Sequence, residues 1–242
     1  MFRLLIPYLF MLACFSLNTQ ALSQIKITAF GDVGSNNVSK GIYFNTALKN
    51  DFMYKNHSLN TAYQFCVNKH LSNTSNCFVD YSYQFAVSEH NFIAKTFFMY
   101  HSFSKLAFEY NVGLSASYFR KHFRCELGTH IRSLGVSKKY MQIHPLEKPT
   151  YIYEKFNMIY LISASLKPYD ENWNIEVSVT NMDYFLLNQE TNPMINLKAH
   201  YQWNKQWDVF WELWYNSAGS FNLSINPFDC FFRTGISCEI IY

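Results

Sequence analysis

From residue 24 to the end of the chain, apolar and polar residues alternate with a period of two in segments of about ten residues. Turn-forming residues separate these segments. This period is typical of β-strands that have one apolar and one polar face. We therefore predict about 12 strands, an even number. They cover residues 25–34, 41–49, 58–67, 78–87, 92–101, 106–118, 123–131, 156–166, 173–181, 195–203, 207–216 and 231–242.

The two faces of the predicted strands differ in chemistry. In the fourth segment one face carries Val79, Tyr81 and Phe85, whereas Asp80 and Gln84 lie on the other. A soluble β-sandwich would turn such an apolar face inward against a second sheet. A membrane barrel would turn it outward toward lipid. The alternation alone leaves both architectures open.

The last segment ends on an aromatic residue. Counting back from Tyr242, every second residue is Ile240, Cys238, Ile236, Thr234 and Phe232. This pattern resembles the C-terminal strand of Gram-negative outer-membrane β-barrel proteins. The resemblance implies a closed antiparallel transmembrane β-barrel in the outer membrane. It also implies that the barrel-assembly machinery reads Phe232, Ile236, Ile240 and Tyr242.

The connections between segments favour the barrel over the sandwich, because short and long ones tend to alternate. The short ones are 55–57, 88–91, 119–122, 167–172 and 204–206, and the long ones are 68–76, 133–151, 182–193 and 217–229. Outer-membrane barrels place tight turns on the periplasmic side and longer loops outside. Large aromatic residues also flank the short turns, where an interfacial girdle would lie.

The N-terminus predicts export. Residues 1–21 have a positive start at Arg3, an apolar run and a small-residue exit at Ala21, which is typical of a cleaved signal peptide. The alternative is a lipoprotein modified at Cys14. We expect residues 22–242 to form a single barrel domain in the Gram-negative outer membrane. Outer-membrane lipid would then surround the barrel.

Composition excludes several classes. Aromatic residues make up 19% of the chain and charged residues 15%, with a net charge of +3. The sequence has no run of basic residues interleaved with aromatics of the kind that binds along a phosphate backbone. We therefore expect no nucleic-acid partner. Five cysteines follow the signal segment without a CxxC spacing, which gives no zinc site. Cys66 and Cys77 flank a polar loop and could form a disulfide. The alternative is that both thiols remain free, because the alternation puts the two residues on opposite faces.

If the apolar faces contact lipid, the polar faces line a lumen, and turn geometry pairs their residues. The turn at 204–206 sets Lys198 opposite Glu212. A turn at 119–122 sets Glu109 opposite Arg132 and Asn111 opposite His130. Closure of the barrel sets Arg233 and Glu239 of the last strand against Asp32 and Lys26 of the first. We predict these eight residues to line a pore: Asn111, Glu109, His130, Arg132, Lys198, Glu212, Arg233 and Glu239.

Two interpretations of this lumen stay open. It is either a hydrated, narrow channel for small polar or charged solutes, or a filled interior in which the charges neutralise one another. Inward-pointing Phe30, Tyr43, Phe97, Met99, Phe210 and Trp214 would narrow it in both cases. The alternative function is a non-conducting accessory barrel that binds a protein partner, of unknown identity, through its loops.

A remote enzymatic alternative depends on His70 and Ser72, the His-x-Ser pair of this chain. Some outer-membrane barrels are lipid acyl hydrolases with such a pair, in which the histidine serves as base for the serine hydroxyl. No HExxH motif, nucleophile elbow, phosphate loop or calcium loop occurs. We therefore expect no metal and no cofactor.

Overall fold

The computed structural model describes residues 24–36, 42–67, 75–102, 107–136, 142, 152–166, 172–188, 193–216 and 228–241. These residues form 12 β-strands. The strands are β1 Gln24–Asn36, β2 Ile42–Tyr54, β3 His57–Cys66, β4 Ser75–Val87, β5 His90–Ser102, β6 Ala107–Arg120, β7 Phe123–Val136, β8 Ile152–Leu166, β9 Trp173–Thr180, β10 Met194–Gln202, β11 Trp207–Asn216 and β12 Phe228–Ile241.

Each strand pairs with its neighbours in the sequence, and the first strand pairs with the last, so the sheet is a closed barrel. All of the pairings are antiparallel. The closing ladder runs from Gln24 opposite Ile241 to Asn36 opposite Phe228. The predicted fold class is confirmed. Several strands extend a few residues beyond their predicted ends, because backbone pairing continues where the apolar alternation fades.

The exterior of the barrel is apolar, as the alternation predicts. Exposed side chains occur at every second position along the strands. They include Ile42, Phe44 and Leu48 on β2, Tyr110, Val112 and Leu114 on β6, Phe156, Met158 and Ile162 on β8, and Phe232, Ile236 and Ile240 on β12. Such an outward apolar surface is what a bilayer-spanning barrel requires. Within the described residues, no helix has the length and apolar character needed to span a bilayer.

The two ends of the barrel have different connections. At one end, called here the turn end, short links at 55–56, 88–89, 121–122 and 203–206 join the strands. Aromatic residues cluster on the exterior there: the ring centroids of Phe85 and Phe92 lie 5.6 Å apart, and those of Phe92 and Tyr118 lie 5.5 Å apart. Trp203, the first residue of the link at 203–206, and Trp207, which follows the link, are also exposed. The opposite end is called here the loop end.

The interior of the barrel holds a mixed core. Phe30, Tyr43, Phe97, Met99, Phe210 and Trp214 are all buried, in agreement with their predicted inward direction. Glycine makes room for some of these rings: a Cβ on Gly235 would lie 2.5 Å from Phe30 Cβ and 2.8 Å from the Phe210 ring. At this level of the lumen, the Phe30 and Phe210 side chains therefore pack directly against the backbone of Gly235.

The five described cysteines are free. Cys66 is buried, whereas Cys77 belongs to the opposite, outward set of positions on β4. The prediction that the two residues lie on different faces is confirmed. Cys230 and Cys238 both lie on β12 and do not bridge.

We predict that Gly235→Val destabilises the barrel by about 1–3 kcal/mol, because the new side chain must displace Phe30 or Phe210 in a filled interior. Gly31→Val is the matched control, since a Cβ there would meet only the Asn45 carbonyl oxygen at 3.5 Å. The measurement is the temperature at which the folded gel band converts to the unfolded one. Equal transition temperatures for the two variants would contradict this account of the packing.

Candidate functional site: the lumen and its inward hairpin

The lumen is crossed by a segment that leaves the barrel wall after β9. Residues 181–188, called here the inward hairpin, form a tight turn closed by hydrogen bonds from Asp183 N to Leu186 O (2.7 Å) and from Asn188 N to Asn181 O (2.8 Å). An isolated bridge joins Met182 to Leu187. The prediction placed 182–193 among the long loops outside the barrel. That placement was wrong for residues 182–188, most of which are buried inside it.

Asn181 fixes the point at which the hairpin turns inward. The ladder between β8 and β9 ends with Leu161 opposite Thr180. Beyond it the Asn181 side chain acts as a peptide group: its Oδ1 accepts from Tyr160 N (3.0 Å) and its Nδ2 donates to Met158 O (2.8 Å). The chain can therefore leave the wall while these β8 backbone groups stay hydrogen-bonded.

Arg233 holds the tip of the hairpin. Its guanidinium donates to both carboxylate oxygens of Asp183, at 2.7 and 3.1 Å. The same group lies 2.7 Å from Asp32 Oδ1 and 3.2 Å from Glu212 Oε2. Arg233 is only 2% exposed. A buried cation shared by three carboxylates ties the hairpin to β1, β11 and β12 at once, and the bidentate geometry fixes its orientation.

Aromatic packing reinforces these ion pairs. The ring of Phe185 lies 6.0 Å from that of Phe30 on β1, and the ring of Tyr184 lies 5.5 Å from that of Phe78 on β4, so the hairpin contacts two separate strands of the wall. The Lys49 ammonium lies 4.6 Å from the centre of the Tyr184 ring. Phe185 and Leu187 belong to one buried cluster with wall residues, and Leu186 belongs to a second. The hairpin is thus part of the core.

A polar network continues from Arg233 around the wall. Asp32 accepts a hydrogen bond from Gln64 Nε2 (2.5 Å), and Gln64 Oε1 accepts from Asn76 Nδ2 (2.6 Å). These residues lie on β1, β3 and β4 and are all buried. The lumen at this level is therefore filled by a chain of hydrogen-bonded polar side chains, which reaches the hairpin through Asp32 and Arg233.

The predicted residues of β6 and β7 face the lumen, but their register differs from the prediction. Asn111 lies opposite Arg132, and His130 lies opposite Gly113. The predicted pairs were Glu109 with Arg132 and Asn111 with His130, and their register was wrong by two residues. The ladder continues to Arg120 opposite Phe123, which leaves a two-residue turn where four residues were expected. A shift of two keeps each side chain on its predicted face.

The charges on these two strands still meet. Arg132 Nη2 lies 2.8 Å from Glu109 Oε2, a diagonal contact across the ladder. Asn111 Nδ2 donates to the other oxygen of Glu109 at 2.7 Å. All three side chains are buried, as is His130. They form a compact polar cluster against the wall.

The pairings predicted for β10 and for barrel closure agree with the structure. Lys198 lies opposite Glu212, with 3.0 Å between the charged atoms. Arg233 lies opposite Asp32, and Glu239 lies opposite Lys26. The Lys26 ammonium turns to Asp208 of β11 at 2.5 Å. The role of these residues in lining a pore stays a prediction.

Two cavities remain beside the hairpin. The larger, about 490 Å³, extends from Met53 and Ser58 near the turn end, past Tyr184, to Asn196 and Trp214. The smaller, about 170 Å³, lies between Lys26, His200 and Ser237 at the turn end and Arg233. Lys49, Asp51, Tyr184, Lys198 and Glu212 contribute to both. Asn196 and Trp214 lie one inward position beyond the Lys198–Glu212 pair toward the loop end. The larger cavity thus runs alongside the hairpin.

Other predicted features lie outside the described residues. These are the signal segment 1–21, the terminal Tyr242, and both His70 and Ser72. The acyl-hydrolase hypothesis accordingly stays untested. Among the residues that the structure describes, no group of three or more His, Cys, Asp or Glu side chains is arranged to hold a metal ion.

The sequence analysis missed Asp183 and Tyr184, the hairpin residues that contact Arg233 and Lys49. A signal for them is present in the connection after β9. Four consecutive residues there, Tyr184-Phe185-Leu186-Leu187, are apolar or aromatic. A solvated loop seldom carries such a run, because exposing it to water costs free energy. The run indicates that this connection is buried.

Comparison with solved structures places this fold among outer-membrane barrels. It is similar to the KdgM porin, with a TM-score of 0.54 at 13% identity over 88% of this chain and 98% of that one. It is similar to an outer membrane channel from Pseudomonas putida F1, with a TM-score of 0.51 at 7% identity over 90% and 96%. No protein-family model and no curated protein matches the sequence. At these identities the likeness defines the class of fold, that of outer-membrane β-barrels.

We predict that Arg233→Met destabilises the barrel by about 3–5 kcal/mol, since it leaves Asp32, Asp183 and Glu212 buried without their shared cation. Arg124→Met is the control. Its side chain is 39% exposed, and its partner Glu126 keeps an ion pair with Lys95. We expect it to cost at most about 1 kcal/mol. Urea unfolding in detergent micelles measures both, and similar costs would refute the central role of Arg233.

Proposed function

We propose that this protein is an outer-membrane barrel that forms a narrow channel for small polar or charged solutes, constricted by its own inward hairpin. The observation that carries this proposal is the cavity of about 490 Å³ that runs beside the hairpin. Its lining includes Lys49, Asp80, Lys95, Glu126 and Lys198. Charged groups along such a path replace part of the hydration shell of a passing solute.

In this proposal the turn end faces the periplasm and the loop end faces outside, as in other barrels of the class. The signal segment 1–21 directs export, and the machinery that assembles barrels reads Phe232, Ile236, Ile240 and Tyr242. Outer-membrane lipid then covers the apolar exterior. The hairpin enters from the outer side and sets the narrowest level of the lumen, between Arg233 and Lys49.

The comparison adds support for the solute class only. One similar structure is described as the KdgM porin in complex with disordered oligogalacturonate, with a TM-score of 0.53 at 13% identity over 88% of this chain and 98% of that one. A barrel of this general shape therefore holds a polar solute in that case. We extend to this chain only the passage of small polar solutes.

The second candidate is a non-conducting accessory barrel with a protein partner, and the tight packing around the hairpin favours it. Met194 is fully buried, and Phe185 and Leu186 are 3% and 2% exposed. If this packing never loosens, the hairpin acts as a permanent plug that closes the lumen and stabilises the wall. Conductance separates the two functions.

We predict discrete conductance steps from the purified protein in planar bilayers. Phe185→Ala should enlarge these steps or lengthen the openings severalfold, because it removes the contact between the hairpin and Phe30. Phe85→Ala is the matched control: the same ring is lost from the exterior, where Phe85 is 37% exposed. If neither the unaltered protein nor Phe185→Ala conducts, the channel is excluded and the accessory barrel remains.

We also predict that the protein fractionates with the outer membrane and gives a gel band that shifts on heating, since a closed barrel resists detergent until it unfolds. Recovery in the soluble periplasmic fraction, without a heat-shifted band, would refute the proposed location. The same extract, probed for the mature N-terminus, tests cleavage of the signal segment.

A further inference from the structure

The cations that line the two cavities already have carboxylate partners. Lys49 lies 2.9 Å from Asp51, and Lys198 lies 3.0 Å from Glu212. Lys95 and Arg124 both pair with Glu126. Lys26 pairs with Asp208, and Arg233 with Asp32, Asp183 and Glu212. An anionic solute would have to take one of these cations away from a lumen carboxylate.

Two carboxylates that line the larger cavity are in the opposite situation. Asp80 on β4 accepts a hydrogen bond from Asn60 at 2.7 Å. Glu176 on β9 lies opposite Lys198, whose ammonium turns to Glu212 instead. Among the described residues, neither Asp80 nor Glu176 has a lysine or arginine nitrogen within the 4.0 Å of an ion pair. Each keeps acceptor capacity toward the cavity.

The charges that line the two cavities and their ion-pair partners add up to a net negative charge. Six cations line the two cavities: Lys26, Lys49, Lys95, Arg124, Lys198 and Arg233. Six carboxylates line them as well: Asp51, Asp80, Glu126, Glu176, Asp183 and Glu212. Asp32 and Asp208 stand behind this lining as ion-pair partners of Arg233 and Lys26. The two linings and these partners therefore carry two more carboxylates than cations, in a site with low-dielectric walls that focus its field.

We propose that the lumen selects cationic solutes, and that Asp80 and Glu176 determine this specificity. The proposal deepens the channel function and rests on it. A cation that enters from either end meets carboxylates with acceptor capacity to spare, whereas an anion meets cations that are already neutralised. Asp80 lies on β4 and Glu176 on β9, so they act on a passing charge from different parts of the wall.

The test is the reversal potential of the reconstituted protein in a KCl gradient at neutral pH, which gives the ratio of potassium to chloride permeability. We expect a ratio several-fold above one. The double variant Asp80→Asn and Glu176→Gln should bring the ratio close to or below one while the openings persist. Glu89→Gln, in the exposed turn at 88–89, removes a carboxylate outside the cavities and should leave the ratio unchanged.

The outcomes separate the two proposals. A channel that opens but shows a ratio of one or less in the unaltered protein overturns the specificity and leaves the channel function intact. A ratio that the double variant does not lower overturns the role of Asp80 and Glu176. An absence of openings removes the channel function itself.

A second measurement needs no variant. Liposomes that contain the unaltered protein should admit cationic glucosamine faster than gluconate, an anion of similar size. Equal rates, or faster entry of gluconate, would overturn the proposal even if the double variant fails to fold.

Discussion

The closing ladder between β1 and β12 is the constraint on which the rest of the structure depends. In a bilayer, backbone groups cannot turn to water, so a sheet can span it only when its first and last strands pair. Here that pairing also aligns charges, because it sets Asp32 directly opposite Arg233. The register that closes the wall thus builds half of the cluster that holds the hairpin.

The hairpin and the wall stabilise each other through ion pairs and through contacts with aromatic rings. Asp183 is buried and needs a cation, and Arg233 supplies it. Arg233 in turn lies 4.8 Å from the ring centre of Phe30 and 5.4 Å from that of Phe231. Burying one cation with several carboxylates costs desolvation free energy, which close hydrogen bonds and ring contacts offset.

Much of the fold followed from the alternation of residues. The number of strands and the inward direction of Phe30 and Trp214 follow from a period of two, because that period fixes which face each side chain takes. Turn length is harder to read. At 204–206 the predicted turn gave the observed pairing of Lys198 with Glu212, whereas at 121–122 the strands continue two residues further.

The candidate site was harder to predict than the wall. Strand pairing is local in sequence, but Asp183 and Arg233 are separated by 50 residues, and no alternation links them. The direction of a connection depends on what it can bury, and only the closed barrel provides that interior. The apolar run from Tyr184 to Leu187 indicates burial without indicating where.

The departure of β9 from the wall has a mechanical consequence. The seam between β8 and β9 has six paired positions, fewer than any other seam among the described strands, whereas the seam between β7 and β8 has eleven. A seam with fewer backbone hydrogen bonds yields first when the barrel is strained. This one ends at Asn181, at the root of the hairpin, so opening of this seam would release the part of the wall from which the hairpin departs.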